Sequence, residues 1–109
     1  MTPGPGSAAD PAERSRRRVA RIDAALRERL APQQLEIEDE SHHHVGHAGA
    51  ADGRGHFRVR VVSPVFEGHS RVARHRMLYD ALAEDLRTDI HALAIEALTP
   101  EEAAARGES

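Results

Sequence analysis

Val19, Ile22, Leu26 and Leu30 recur at helical spacing as one apolar stripe, and Pro32 closes the segment. Upstream, Asp10-Pro11-Ala12-Glu13 reads as a helix start: an acidic cap, proline at the first helical position and glutamate three residues after the cap. Leu35 to Asp39 alternates apolar with acidic residues, the pattern of a half-buried strand. The alternation lapses from Ser41 to Gly55, where His, Gly, Ala and Asp predict a loop. Phe57, Val59 and Val61 then alternate with Arg58 and Arg60, giving a second strand that pairs with the first as a hairpin and ends at Pro64. Ser70 is placed to cap a second helix, reaching about Arg87. On a helical wheel Val72, Leu78, Tyr79, Leu82 and Leu86 share one side, with His75 near its middle, Arg74 and Arg76 flanking it and Met77 pointing away. Ile90 to Leu98 predicts a third strand with His91, Leu93, Ile95 and Ala97 on one face. Thr99-Pro100-Glu101-Glu102 is a capping box that opens a short last helix ending by Gly107.

The predicted order is α-β-β-α-β-α, an α+β domain in which two helices cover one face of a three-stranded mixed sheet. The 109 residues suffice for one such domain over 10–107, with 1–9 (Pro, Gly and Ala rich) as a disordered tail. Two Phe, one Tyr and no Trp leave the core to Leu, Val, Ile and Ala. No apolar run approaches a membrane span, and the N-terminus lacks the hydrophobic stretch of a secretory signal. These features predict a cytoplasmic protein with no membrane partner; the sequence leaves the oligomeric state of the free protein open, with a monomer as the default. A formal charge of −3 argues against nucleic-acid binding driven by net charge. All basic residues are arginine, as codon usage in a GC-rich genome would give.

Three groups of residues are chemical candidates. The first is the loop His42-His43-His44-x-x-His47, with His56 at its end. Imidazole is the commonest protein metal ligand near neutral pH, although histidine-rich loops also capture stray ions with no purpose. His91, at the start of a strand, reads on its own as solvent-facing or hydrogen-bonded. The second group is Arg71, Arg74 and Arg76, on a helix that follows a turn containing Gly68. That arrangement resembles a helix-turn-helix, where arginines neutralise phosphates and reach guanine edges; a solvated helix surface gives the same pattern. His75, inside the apolar stripe, is expected to be a structural residue held by a local hydrogen bond, with Gly68 and Tyr79 also structural. The third is catalysis. No nucleophile elbow, phosphate-cradling glycine loop or His-Glu-x-x-His is present, Ser41 and Ser63 have no activating arrangement, and no catalytic residue is assigned.

The motifs Asp39-Glu40-Ser41, Phe66-x-Gly68, Arg74-His75-Arg76-x-x-Tyr79, His91-Ala92-Leu93 and Thr99-Pro100 lie in one register. From about Ile22 to Pro100 the chain resembles the BolA family. The resemblance implies a fold like the type II KH domain, in agreement with the order read from the residues. It implies that His44 matches the loop ligand of a [2Fe–2S] cluster and that His91 matches the family's C-terminal histidine, the second ligand. His47, in a His-Ala-Gly extension found in some members, is the nearest competitor of His44. Two imidazoles cannot complete such a cluster, whereas two histidines with two thiolates can, as in Rieske centres. With no cysteine in the chain, the sulfurs must come from a partner. In the family that partner is a monothiol glutaredoxin with its bound glutathione, so the isolated chain is expected to hold no cofactor. Family members are also described as transcriptional regulators, which makes DNA the alternative partner. KH domains grip nucleic acid with a Gly-x-x-Gly loop, but Phe66-Glu67-Gly68-His69 has one glycine and an acid, against RNA binding of that kind.

Overall fold

The computed structural model describes residues 11–41 and 55–107. Its elements are helix α1 (Pro11–Leu30), strands β1 (Gln34–Asp39) and β2 (Gly55–Val62), a 3-10 turn (Pro64–Phe66), helices α2 (Arg71–Ala81) and α3 (Ala83–Thr88), strand β3 (Ile90–Leu98) and helix α4 (Pro100–Ala105). The sheet order is β1-β2-β3, with β1 antiparallel and β3 parallel to β2. This is the expected mixed α+β sheet. The expected tail, the Asp10 cap, and His42, His43, His44 and His47 lie outside the described residues.

Period-two alternation makes the sheet two-sided. Phe57, Val59 and Val61 pair in register with Leu93, Ile95 and Ala97, and together they face the helices. Ile22, Leu26 and Leu30 of α1, with Phe66, Leu78 and Leu82, close the core over them. The opposite face carries charge instead of a second layer. Arg60 there bonds both Glu36 (3.6 Å) and Glu96 (3.3 Å), and Glu96 also pairs with Arg106.

Two expectations for the second helix need correction. It breaks at Leu82 (φ −107°, ψ 20°) rather than running on to Arg87, and no proline or glycine marks the place. Its inner stripe is also rotated. Val72 is 66% exposed and Tyr79 44% exposed, whereas Met77, expected to point away, packs against the core. The reason is Arg74, whose side chain is only 12% exposed. Its guanidinium carbon stands 5.9 Å from the centre of the Phe66 ring, so an arginine stem occupies the inward position that the wheel gave to apolar residues. His75 is half-buried beside a cleft instead of lying in an apolar stripe, and no side-chain hydrogen bond holds it among the described residues.

Ser63 is a structural hydroxyl. Fully buried, it donates to the Leu30 carbonyl at the end of α1 (2.6 Å) and accepts from the Val65 amide (3.2 Å). Ser63→Ala leaves a helix-end carbonyl without its donor and uncaps the 3-10 turn. The expected cost is about 1–2 kcal/mol, read as a lower urea midpoint at unchanged m-value.

Candidate metal-binding end of the sheet

The end of β1 and the starts of β2 and β3 meet at one end of the sheet, and the chain's hydrogen bonds fix both ends of the histidine-rich loop there. The Ser41 amide donates to the Asp39 carboxylate (2.8 Å), and the Ser41 hydroxyl accepts from the His56 amide (3.0 Å). The Glu40 amide donates to the His56 carbonyl (2.7 Å), and the Gly55 amide to the Asp89 carbonyl (2.8 Å). Burial pushes the Asp39 carboxyl up. Hydrogen bonds from Ser15 and Ser41, with the nearby Arg18 charge, outweigh that and hold it below the usual range.

His91 stands at an irregularity of the β2–β3 pairing. Gly55 faces Ile90, but His56 faces Ala92, which leaves His91 as the extra residue. Ile90 takes the buried position and His91 is exposed, so the expected face of His91, Leu93, Ile95 and Ala97 holds only from Leu93 onward. The His91 ring lies against that of His56, with centroids 5.2 Å apart and planes tilted by 52°. Sequence reasoning placed His56 only at the end of a loop. Its signal was the parallel partnership of β2 with β3, which a sequence does not display.

The arginines of α1 also belong to this end. Arg21 bonds the Asp89 carboxylate at 2.7 Å, and Arg18 approaches it at 3.5 Å. Both come from the middle turns of α1, and their pairing with Asp89 ties that helix to the residue next to Ile90.

The second candidate group is dispersed. Arg71 and Arg76 are exposed on α2, but Arg74 forms a two-pronged pair with Glu102 (2.6 and 3.1 Å) and also donates to the carbonyls of His69 and Ala97. Arg74 therefore braces α2 against β3 and α4, correcting its assignment as a phosphate contact. Gly68 has φ +80°, the left-handed region that suits glycine in this turn. The element before α2 is a single 3-10 turn, so the resemblance to a helix-turn-helix stops at the second helix. An open cleft of about 640 Å³ lies among Arg71, His75, Glu96 and Arg106. It adjoins the far end of β3 from His91, so concavity does not mark the histidine site.

Arg74's side-chain hydrogen bonds, with the Thr99 amide, lower the Glu102 carboxyl to about 2. A carboxyl depressed by folding gives a contact that is complete above the ordinary glutamate value of about 4.3 and lost as pH falls through the folded value. Hydrogen-exchange protection of Ala103 and Ala104 should therefore decline between about pH 4.5 and pH 2 while that of Val59 and Val61 persists. Equal protection of α4 across that window would show that this pair does not hold the helix.

The architecture defines a small α+β domain in which the rings of His56 and His91 meet at one end of the sheet. A sequence profile described as BolA-like protein matches residues 26–102, and the chain belongs to the BolA family. It is 49% identical over 81 residues to BolA-like protein 1 of Mus musculus, covering 74% of this chain and 57% of that protein. It is 44% identical over 82 residues to the DNA-binding transcriptional regulator BolA of Escherichia coli, covering 75% of each. SufE-like protein 1 of Arabidopsis thaliana, chloroplastic/mitochondrial by name, is 48% identical over 90 residues, 78% of this chain but 24% of that protein. The solved BolA domain of SufE1 from the same plant matches with a TM-score of 0.67 and 44% identity, over 76% of this chain and 92% of that one. The chain thus spans only a quarter to little over half of the SufE-like and mouse proteins. No helix among the described residues is long and apolar enough to cross a membrane.

Proposed function

We propose that this chain is a non-catalytic cytoplasmic adaptor that, with a monothiol glutaredoxin and glutathione, shares, transfers or senses a [2Fe–2S] cluster. The observation that carries the reading is the meeting of exposed His91 with both ends of a four-histidine loop at one end of the sheet, in a chain without a thiol. The donor set fits half of a mixed cluster: His91 and His44 (or His47) supply imidazole, and the partner supplies sulfur. In the Arabidopsis relative a BolA domain is one part of a longer SufE-like protein.

The test is anaerobic mixing with a monothiol glutaredoxin, followed by visible absorption and circular dichroism. A spectrum distinct from that of the glutaredoxin homodimer's cluster is expected, and none from this chain reconstituted alone. A stoichiometric cluster that survives gel filtration on this chain alone would sink the two-protein reading.

DNA-binding regulation is the second reading, favoured by the name of the Escherichia coli relative. On this reading Arg71 and Arg76 are the phosphate contacts, and each one lost should lower the log–log salt slope by about 0.9. Unchanged affinity and slope in the double Ala variant would remove α2 from the interface.

A further inference from the structure

We propose that the free edge of β3 beside α2 takes an extended acidic segment of a partner protein as a fourth strand of the sheet. β3 stands last in the order β1-β2-β3, so one row of its backbone groups has no neighbouring strand. The Leu98 carbonyl accepts from the Ser63 amide (2.9 Å) and therefore faces the β2 side. Backbone direction alternates along a strand, which turns the N–H and C=O groups of Ala97 and Ile95 to the open side. There the Ala97 carbonyl is taken by the Arg74 guanidinium (3.1 Å). The amides of Ile95 and Ala97 and the Ile95 carbonyl have no partner among the described residues. They open on the cleft of about 640 Å³, which runs along residues 95–98.

The two edges of the sheet differ in how they meet another strand. β1 carries Glu36, Glu38 and Asp39 within 6 residues, and charge of that density deters pairing. β3 has one carboxylate, Glu96, which is already held by Arg60 (3.3 Å) and Arg106. Across the cleft Glu102 is likewise held by Arg74. Arg71 and His75 line the same cleft and make no ion pair or side-chain hydrogen bond among the described residues. The acids are thus committed and these two donors are not, so the charge of the cleft is completed by a carboxylate from outside. The side chains of Ile95 and Ala97 face the core yet are only half-buried. A strand laid along this edge bonds the amides of Ile95 and Ala97, covers their side chains with an apolar residue, and brings a Glu or Asp to Arg71 and His75. The surface lies at the opposite end of β3 from His91, so the proposal does not depend on the cluster reading.

The probe is a short peptide alternating threonine and valine about a central glutamate, blocked at both ends. In the free protein the amides of Ile95 and Ala97 should exchange fast at every protein concentration, and those of Glu96 and Leu98, turned to β2, slowly. Peptide at about millimolar concentration should shift and protect Ile95 and Ala97. A central lysine in place of glutamate should weaken binding about tenfold. Arg71→Ala in the protein should weaken it about threefold.

Backbone N-methylation of the peptide separates strand addition from charge contact without touching the protein's fold. Methyl groups on alternate amides face β3 in one register and point away in the other. One methylated form should lose binding and the other keep it. Equal behaviour of the two forms, or shifts confined to Arg71 and Arg76, would mean a charge contact of the kind DNA makes and overturn the proposal. Absence of protection at Ile95 and Ala97 by the glutamate peptide would overturn it as well. Protection of these amides that grows with the free protein's own concentration would give the edge to a second copy instead of a partner, and the proposal would fall.

Discussion

His91→Ala should convert the spectrum of the mixed cluster to that of the glutaredoxin homodimer, with a loss of mixed complex of about tenfold or more. Its exposure means that the fold should be nearly untouched, within about 0.5 kcal/mol. His44→Ala should give a partial or heterogeneous change, because His42, His43 and His47 crowd the same short loop. Replacing all four loop histidines should approach the effect of His91→Ala. The asymmetry follows from anchoring: β3 fixes the backbone of His91 before any ligand arrives, and the loop offers alternatives instead. Survival of the mixed spectrum in His91→Ala, with its loss in His44→Ala, would reverse that order and make the loop the dominant donor.

Much of the architecture was legible because local pattern and tertiary role agree. Val19 to Leu30, Phe57 to Val61 and the Thr99 capping box each state their element and inner face within a few residues, and the structure has them so. Legibility failed where an amphipathic or long-range residue decided the outcome. The wheel could not know that Arg74 would place its stem inward over Phe66 and spend its charge on Glu102, twenty-eight residues away. Nor could it pair Arg21 with Asp89, sixty-eight residues apart. At the candidate site, His91 was visible as a residue but its displacement from the Leu93 face was not. That displacement comes from an irregularity between two parallel strands distant in sequence. His56 escaped notice as a partner of His91 for the same reason.

The second large effect is expected at Gly55, a glycine with no unusual backbone angle to announce its role. A Cβ there would come within 2.7 Å of both the Phe57 ring and the Ser41 hydroxyl. Phe57 is fully buried and cannot swing away, and Ser41 is tied to Asp39 and His56. Gly55→Ala should therefore cost about 2–3 kcal/mol, toward the upper part of the range for an overpacked core. It should also loosen the histidine end of the sheet while leaving the far end in place. Slowed exchange at Ser63 and Val61, with fast exchange at His56 and Glu40, is the expected pattern. A melting temperature within a degree or two of the unaltered protein's would show that the strand ends yield easily.

The salt bridge from Arg21 to Asp89 has a practical consequence for handling the protein. With the hydrogen bond of Ser15 to Asp39, it holds the first half and middle of α1 at the same end of the molecule as His56 and His91, whereas α4 leaves from the opposite end of β3. A polyhistidine purification tag joined ahead of Pro11 would place extra imidazoles beside the candidate ligands and compete for the same iron. Joined after Gly107 it would start from the far end of the sheet. Cluster spectra of preparations differing only in which terminus carries the tag should accordingly not be interchangeable, and the C-terminally tagged or tag-free protein is the one whose spectrum reports on the chain's own histidines.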